Sequence, residues 1–209
     1  MKNKIKYLTA TLLMMTIINS NSFAQFKSVK IGKQTWAAEN LNVQTYRNGD
    51  KIPQVQDANE WSKLTTGAWC YYQNKTEFGF VYGIMYNWYA VNDPRGLAPK
   101  GWHIPSDTEW TEMVNTLGGT NEAGTKMKTK AGWSDDGNGS NESGFSALPS
   151  GGHNNLGAFS DLGRDAYWWS STEDAPETAW TRGLNYGYGE VFRGSANKRN
   201  GFAIRCIQD

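Results

Sequence analysis

The chain has 209 residues, and its 21 Lys and Arg side chains nearly balance its 20 Asp and Glu side chains. With no clustered basic stripe, this balance argues against nucleic acid as a partner. The chain also contains ten tryptophans, ten tyrosines and 23 glycines. Aromatic side chains dominate core packing, so this composition predicts twisted sheets with long, glycine-rich loops rather than a helix bundle.

The first 24 residues predict a secretory signal peptide. Three lysines precede a mostly apolar run at residues 7–18, and Ser22 and Ala24 place small residues at a cleavage site. An uncleaved membrane anchor is the alternative, but a span needs ~20 apolar residues. We therefore expect an exported mature chain that begins at Gln25, with 18 basic residues against 20 acidic ones and no membrane span.

The predicted elements of the first hundred residues are short. Residues 29–36 alternate around a turn and predict a hairpin. Asp57 is placed to cap a short helix. Residues 69–72 and 80–89 are rich in aromatic side chains and predict strands.

A capped helix over residues 107–117 is the most clearly encoded element. Ser106 precedes it, and Glu109 lies three positions further on, which is the spacing of a capping box. Gly118 and the glycine after it end the helix. Its apolar side chains fall on one face: Trp110, Met113, Val114 and Leu117.

The second half of the chain reads mainly as strands separated by glycine and asparagine turns. One further helical turn is predicted at residues 123–128. The predicted strands are 145–148, 168–171, 178–186, 190–193 and 201–207, with the last three in a meander. The pattern indicates one α+β domain over residues 25–209 with twisted antiparallel sheets and one well-defined helix.

Two cysteines, Cys70 and Cys206, are present. An even number in an exported chain predicts one disulfide, which would join the first third of the domain to its last strand. Two buried free thiols are the alternative. Metal binding by two cysteines with no histidine nearby in sequence is disfavoured.

Six ordered segments of the mature chain resemble the Fibrobacter succinogenes major paralogous domain family. They are 29–41, 82–89, 101–110, 144–149, 167–173 and 201–206. The resemblance implies an exported bacterial domain with no established biochemical role.

Residues 102–110 and 201–206 are also more distantly similar to the formylglycine-generating sulfatase-modifying enzymes. This likeness implies a C-type-lectin-like fold. Those enzymes use two closely spaced cysteines near the carboxyl terminus, whereas Cys206 is alone in its region. The likeness therefore implies the fold and argues against that activity.

The chain offers two histidines, and neither belongs to a metal-binding or nucleophile motif. His103 alternates with apolar neighbours in a predicted strand, which predicts a structural role. His153 follows two glycines in a predicted loop, where it is either a ligand contact or simply exposed. No residue is predicted to be catalytic.

A polar loop at residues 135–142 is the candidate metal site. Asp136, Asn138, Ser140 and Glu142 present oxygen ligands at alternate positions, with glycines between the first three. Calcium accepts such ligands. A polar loop without metal is the alternative, since the full twelve-residue calcium signature is missing.

The predicted strand 178–186 is the candidate ligand surface. Trp180, Arg182 and Tyr186 share one parity, and Arg193 lies in the next strand. Alternate side chains of a strand point to the same face, so these four would bind a sugar or a peptide if that face is open. A face packed inside the domain is the alternative. Trp168 and Trp169 are adjacent and must point to opposite faces, which would leave one of them accessible.

Export, aromatic richness and fold analogy together favour a secreted or cell-surface binding module that is not an enzyme. Its expected partner is a polysaccharide or a cell-surface glycan. One alternative is a structural or adhesion domain that contacts another protein. The other is a hydrolase whose site the sequence does not locate.

Overall fold

The structure is a computed structural model that describes residues 27–209. The predicted signal peptide and Gln25 lie outside this range. The strands are β1 Ser28–Ile31, β2 Gln34–Ala37, β3 Trp69–Cys70, β4 Met85–Tyr86, β5 Trp102–His103, β6 Ser150–His153, β7 Phe159–Leu162, β8 Asp165–Ala175, β9 Thr178–Asn185, β10 Phe192–Asn197 and β11 Ile207–Gln208. The helices are α1 Ala58–Trp61, α2 Thr76–Tyr82, α3 Trp88–Val91, α4 Asp107–Thr116 and α5 Thr120–Met127. None of the helices in residues 27–209 is long and apolar enough to span a membrane.

The chain is mixed α+β, with short helices set against three sheets. A four-stranded sheet has the order β1-β2-β11-β5, and a five-stranded sheet has the order β10-β9-β8-β6-β7. Strands β3 and β4 form a small third sheet. The predicted hairpin at residues 29–36 is present as β1 and β2, and its turn lies between Ile31 and Gln34.

The meander predicted for the last three strands is wrong. Strands β8, β9 and β10 form the meander instead. The final segment leaves β10, bridges to Tyr86 and Trp168, and enters the four-stranded sheet, where Ile207 pairs with both Trp36 and His103. Period-2 alternation shows that a segment is extended but does not specify its partner strand, so the sequence pattern could not separate the two topologies.

Strand β8 lies between two hydrophobic clusters, so both of its faces are covered. Trp168 belongs to the cluster under helix α4, and Trp169 belongs to the cluster around Tyr86. The two rings do point to opposite faces, but neither is accessible: each is 0% exposed. Their indole nitrogens donate to Asn40 Oδ1 and to the Tyr86 carbonyl, both at 2.9 Å.

Two segments predicted as strands fold differently. Within residues 80–89, only Met85–Tyr86 is a strand, between helices α2 and α3. The amide of Asn87 caps α3, because its oxygen accepts from the Ala90 backbone N–H at 3.1 Å. Capping chemistry here overrides the strand preference of aromatic residues. Residues 145–148 make only one bridge, from Ala147 to Lys128. Helix α5 runs from Thr120 to Met127 and is longer than the single turn predicted.

The capping box at the start of α4 is confirmed. Ser106 Oγ accepts from the Glu109 backbone N–H at 3.2 Å, and Glu109 Oε2 accepts from the Ser106 backbone N–H at 2.7 Å. Asp57 likewise caps α1, with its Oδ1 2.8 Å from the Glu60 nitrogen.

Ser106→Ala should lower the free energy of unfolding by about 1 kcal/mol, because the Glu109 N–H loses its acceptor at the helix start. Chemical denaturation at neutral pH measures this change. Thr108→Ala, two positions further on, is the control, because this exposed side chain takes no part in the capping box. Equal effects of the two substitutions would contradict the capping assignment.

The predicted disulfide is absent: Cys70 and Cys206 are both buried free thiols. Their side chains belong to different hydrophobic clusters: the cluster of Cys70 includes Trp61, and the cluster of Cys206 includes Ile204. Burial raises the pKa of Cys206 to about 12 and raises that of Cys70 as well. An even cysteine count carries no information about which cluster each side chain joins. The disulfide prediction was wrong because the fold places the two side chains in separate clusters.

Candidate functional site

The face predicted to bind ligand turns inward at its centre. Arg182 is 2% exposed and packs against the start of helix α4. Its Nη1 donates to Asp107 Oδ1 at 2.6 Å, and its Nη2 donates to Thr111 Oγ1 at 2.9 Å. Arg182 therefore holds β9 to the helix and is not available to a ligand, contrary to the prediction.

Arg193 and Trp180 flank this contact at the edge of the sheet. The Arg193 guanidinium lies 3.3 Å from the centre of the Trp180 ring, and its Nη2 is 2.9 Å from Asp107 Oδ2. Burial acts to raise the pKa of Asp107, but hydrogen bonds from Arg193 and Arg182 outweigh it and lower this pKa. Tyr186 lies apart and accepts a hydrogen bond from Arg164 at 2.7 Å. Trp180, Arg182 and Tyr186 share a parity, but with Arg193 they do not form one open site.

The polar loop at residues 135–142 is held by hydrogen bonds that two of its side chains accept from nearby backbone N–H groups. The described residues contain no group of three or more His, Cys, Asp or Glu side chains placed to hold a metal ion. Asn138 Oδ1 accepts from the Trp133 backbone N–H at 3.1 Å, and Ser140 Oγ accepts from the Glu142 N–H at 3.4 Å. Asp136 and Glu142 are exposed. Two of the four predicted ligands are therefore engaged in closing the loop.

His153 is the last residue of β6 rather than an exposed loop residue. It is 4% exposed and lies between Trp61 and Phe159, with ring centres 4.4 and 4.3 Å away. Its Nδ1 is 3.9 Å from the Cys70 sulfur. Burial lowers the pKa of His153 to about 4 and raises that of Cys70. At neutral pH both groups are uncharged, so they do not form the thiolate–imidazolium pair of a cysteine nucleophile.

His103 joins three parts of the chain. Its Nε2 lies 2.9 Å from Glu109 Oε1, and its Nδ1 lies 2.8 Å from Asp209 Oδ1. Burial acts to lower the pKa of His103, but these two carboxylates outweigh burial and raise the pKa. The contacts tie β5 to helix α4 and to the end of the chain, away from any cleft described below.

The outer end of the five-stranded sheet carries a row of residues that leaves an open groove. Phe192 pairs with Gly183 across β10 and β9, and Gly183 pairs with Tyr167 across β9 and β8. On the other side of the Tyr167 ring lies Gly152 of β6: a Cβ there would be 3.2 Å from Tyr167 Cδ2, and one at Gly183 would be 3.3 Å from Cδ1. The absence of a side chain at each glycine lets the Tyr167 ring lie close to the backbone of both neighbouring strands, and the Phe202 ring stacks on Tyr167 with ring centres 5.1 Å apart. We call this surface the Tyr167 groove.

The groove consists of two adjoining clefts that share Tyr167. One has a volume of about 270 Å³ and the other about 230 Å³. The first is lined by Gly152, His153, Asn154, Ser160, Asp161, Tyr167, Asn200 and Phe202. The second is lined by Asp165, Tyr167, Gly183, Leu184, Asn185, Tyr188 and Phe192. The lining thus combines aromatic rings with hydroxyl, amide and carboxylate groups, and no Lys or Arg is among these lining residues.

Contacts beneath the groove hold its walls in place. The Tyr167 hydroxyl donates to Asp165 Oδ2, and Asn185 Nδ2 donates to Asp165 Oδ1, both at 2.6 Å. The turn that carries Tyr188 is held by buried Lys128, whose Nζ donates to the Tyr188 carbonyl at 2.9 Å. Tyr188 and Phe192 are 59% and 41% exposed, with ring centres 6.0 Å apart. The groove is therefore a preformed surface with two solvent-exposed rings at one end.

Residues 29–208 match the Fibrobacter succinogenes major domain. The chain belongs to this family. The match covers all the strands and helices of the structure except the first residue of β1. No curated protein and no solved structure matches the chain.

In this member of the Fibrobacter succinogenes major domain family, the groove lining includes one predicted ligand contact, His153, and none of the other four predicted residues. The parity argument selected Trp180, Arg182 and Tyr186, and the groove uses Gly183 and Asn185, of the opposite parity. Strand parity identifies which side chains share a face but not which face is covered. The available signal was Gly183 itself, because glycine inside a strand marks a place where another group approaches closely.

Proposed function

We propose that this protein is an exported, non-enzymatic carbohydrate-binding module that uses the Tyr167 groove, on a C-type-lectin-like fold. The single observation that carries the proposal is an aromatic ring with a glycine on each side, in a groove lined by carboxylate, amide and hydroxyl groups. Export and surface location rest on the predicted signal peptide.

The groove matches the two kinds of chemistry that a sugar presents. The apolar C–H face of a pyranose packs against aromatic rings, and exposed Tyr188 and Phe192 offer such rings beside Tyr167. Sugar hydroxyl groups are both donors and acceptors, and Asp161, Asn154 and Ser160 supply partners along the first cleft. Ligand sites commonly combine apolar walls with a few placed polar groups.

Charge along the groove favours neutral glycans or amino sugars over acidic ones. Its lining contains Asp161 and Asp165 and no Lys or Arg. His153 adds no positive charge at neutral pH, because burial lowers its pKa to about 4. A sugar carboxylate would therefore meet like charge without compensation.

A glycan array, probed with and without a calcium chelator, tests the proposal. We expect binding to neutral oligosaccharides that survives chelation, since the predicted calcium loop at residues 135–142 contributes no lining residue to the groove. Phe192→Ser should weaken the affinity for the best oligosaccharide by about tenfold, or about 1.4 kcal/mol, while leaving thermal unfolding nearly unchanged because the ring is exposed. Calorimetric titration measures the affinity.

Phe80→Ser is the matched control, because Phe80 is an exposed phenyl ring outside the groove. It should leave glycan affinity unchanged. Gly183→Val is a second groove variant, since Gly183 lines the second cleft and a side chain there would press on the Tyr167 ring, with its Cβ 3.3 Å from Cδ1. No glycan binding by the wild-type protein would refute the carbohydrate function. Binding that neither groove variant weakens would refute the location.

A further inference from the structure

A second cleft, separate from the Tyr167 groove, lies where the first described residues meet helix α2 and the segment after Phe145. Its volume is about 360 Å³. Lys27, Glu39, Phe80, Val81, Leu148 and Arg205 are among its lining residues. None of its lining residues also lines the groove. We call it the Arg205 cleft.

The guanidinium group at this cleft has a donor left over. Arg205 Nε donates to Asn40 Oδ1 at 2.8 Å, and Nη1 donates to the Ala37 and Phe145 carbonyls at 2.9 and 2.7 Å. Nη2 donates once, to the Ser146 carbonyl at 3.1 Å. An arginine side chain has five N–H donors, so one Nη2–H has no partner among the described residues.

The Arg205 charge also has no carboxylate partner. The residue is 1% exposed, and no described Asp or Glu side chain forms an ion pair with it. Its partners are neutral oxygens and the Phe145 ring, whose centre is 4.3 Å from the guanidinium carbon. Burying a charge without an opposite charge is costly. Burial accordingly lowers the pKa of Arg205 to about 9, with Glu39 acting in the opposite direction from a distance.

The rim of the Arg205 cleft combines a second cation with an apolar wall. Lys27 is exposed at the rim, and Glu39 is the exposed acid there. Phe80 is 83% exposed and Val81 is 54% exposed, although both are large apolar side chains. Helix α2 thus turns two apolar side chains outward beside a buried positive charge.

We propose that the Arg205 cleft binds a carboxylate carried on an apolar group, with the carboxylate at Arg205 and Lys27 and the apolar group against Phe80 and Val81. A carboxylate accepts the remaining Nη2–H and supplies the missing negative charge, and charge-assisted bonds of this kind are stronger than neutral ones. A small free acid with an apolar group and the carboxyl terminus of a peptide share this chemistry. The apolar wall favours both of these ligands over a sugar acid, whose hydroxyl groups would face Phe80 and Val81.

Nuclear magnetic resonance titration of the ¹⁵N-labelled protein with N-acetyl-L-leucine tests the proposal. We expect saturable shifts at the cleft residues, and at least about tenfold weaker binding of the neutral N-acetyl-L-leucinamide, because the carboxylate is the recognised group. Equal binding of acid and amide, absence of saturable shifts, or shifts confined to residues outside the cleft would each overturn the proposal.

Variants at exposed positions keep the test independent of folding. Lys27→Gln and Phe80→Ser should each weaken binding of the acid by about threefold or more, and Phe192→Ser in the Tyr167 groove should leave it unchanged. Failure of Phe80→Ser or Lys27→Gln to weaken binding would contradict the proposed pose. Phe192→Ser tests the Tyr167 groove and is the control for the Arg205 cleft, whereas Phe80→Ser tests the cleft and is the control for the groove. The two proposals can therefore fail independently of each other.

A tetrapeptide ending in leucine, used as free acid and as carboxyl-terminal amide, distinguishes the two sources. If the free-acid peptide binds about tenfold more tightly than N-acetyl-L-leucine and amidation removes this binding, the cleft recognises peptide carboxyl termini. Similar affinity for both acids assigns it to small free acids. Equal affinity for the free-acid and amidated peptides would overturn the proposal.

Discussion

Trp110→Ala is expected to lower the free energy of unfolding by roughly 3–5 kcal/mol. Trp110 is 0% exposed at the centre of the cluster between helix α4 and strand β8. Its ring centre lies 4.7 Å from that of Trp36, 5.9 Å from that of Phe145 and 6.2 Å from that of Trp168. Alanine would remove the ring that these three aromatic side chains pack against and leave a cavity that rigid rings cannot easily fill. Urea denaturation measures the loss.

Trp110→Phe is the control for this cavity argument. The indole nitrogen of Trp110 is buried and has no hydrogen-bond partner among the described residues. Phenylalanine therefore removes volume without breaking a hydrogen bond, and we expect a loss of about 1–2 kcal/mol. A loss for Trp110→Ala no larger than that for Ser106→Ala would show that this ring is not a core anchor.

Asp107→Ala is expected to cost about 2–4 kcal/mol of unfolding free energy, because it leaves buried Arg182 without its carboxylate. The Arg182 side chain is 3% exposed and that of Asp107 is 17% exposed. Arg193, at 47% exposed, is the outer partner of the same carboxylate. Loss of an exposed partner costs little, so Arg193→Ala should destabilise far less. Thermal and urea unfolding of the three proteins provide the comparison.

A double variant separates the buried charge from the lost contact. Asp107→Ala combined with Arg182→Met should recover part of the stability lost in Asp107→Ala, because the unpaired charge is then gone. A double variant less stable than Asp107→Ala alone would contradict this account. The pKa of Asp107 is lowered in the folded protein. Its contribution is therefore complete above the unfolded pKa of about 3.9 and is lost as pH falls through the folded pKa.

The parts of the fold that the sequence predicted correctly are those governed by nearby residues. The capping box joins Ser106 to Glu109, and the hairpin at residues 29–36 pairs strands separated by one turn. In each case the interacting groups lie within a few positions, so spacing alone specifies the contact. The inner face of helix α4 follows from the same local geometry, and Trp110, Met113 and Val114 are buried as predicted.

Two of the failed fold predictions concern contacts between residues far apart in sequence, and a third failed on a local contact, the helix cap at Asn87. Cys70 and Cys206 were expected to bond, yet they enter separate clusters. The final segment was expected to continue the meander, yet β11 lies between β2 and β5. Residues 80–89 were expected to be extended, yet Asn87 begins a helix. Cysteine number, alternation and aromatic content describe segments without naming their partners.

The candidate site shows the same division. By itself the sequence determined that the chain is a member of its family with mixed α+β structure and a capped helix, because these features are recorded in local motifs and their order. Only the tertiary structure decided that Arg182 faces helix α4 while Gly183, one residue later, opens a groove beside Tyr167. Two adjacent strand residues always point to opposite faces. Which face is covered depends on the helices and clusters packed on each side of the sheet, and that packing is set by the whole chain.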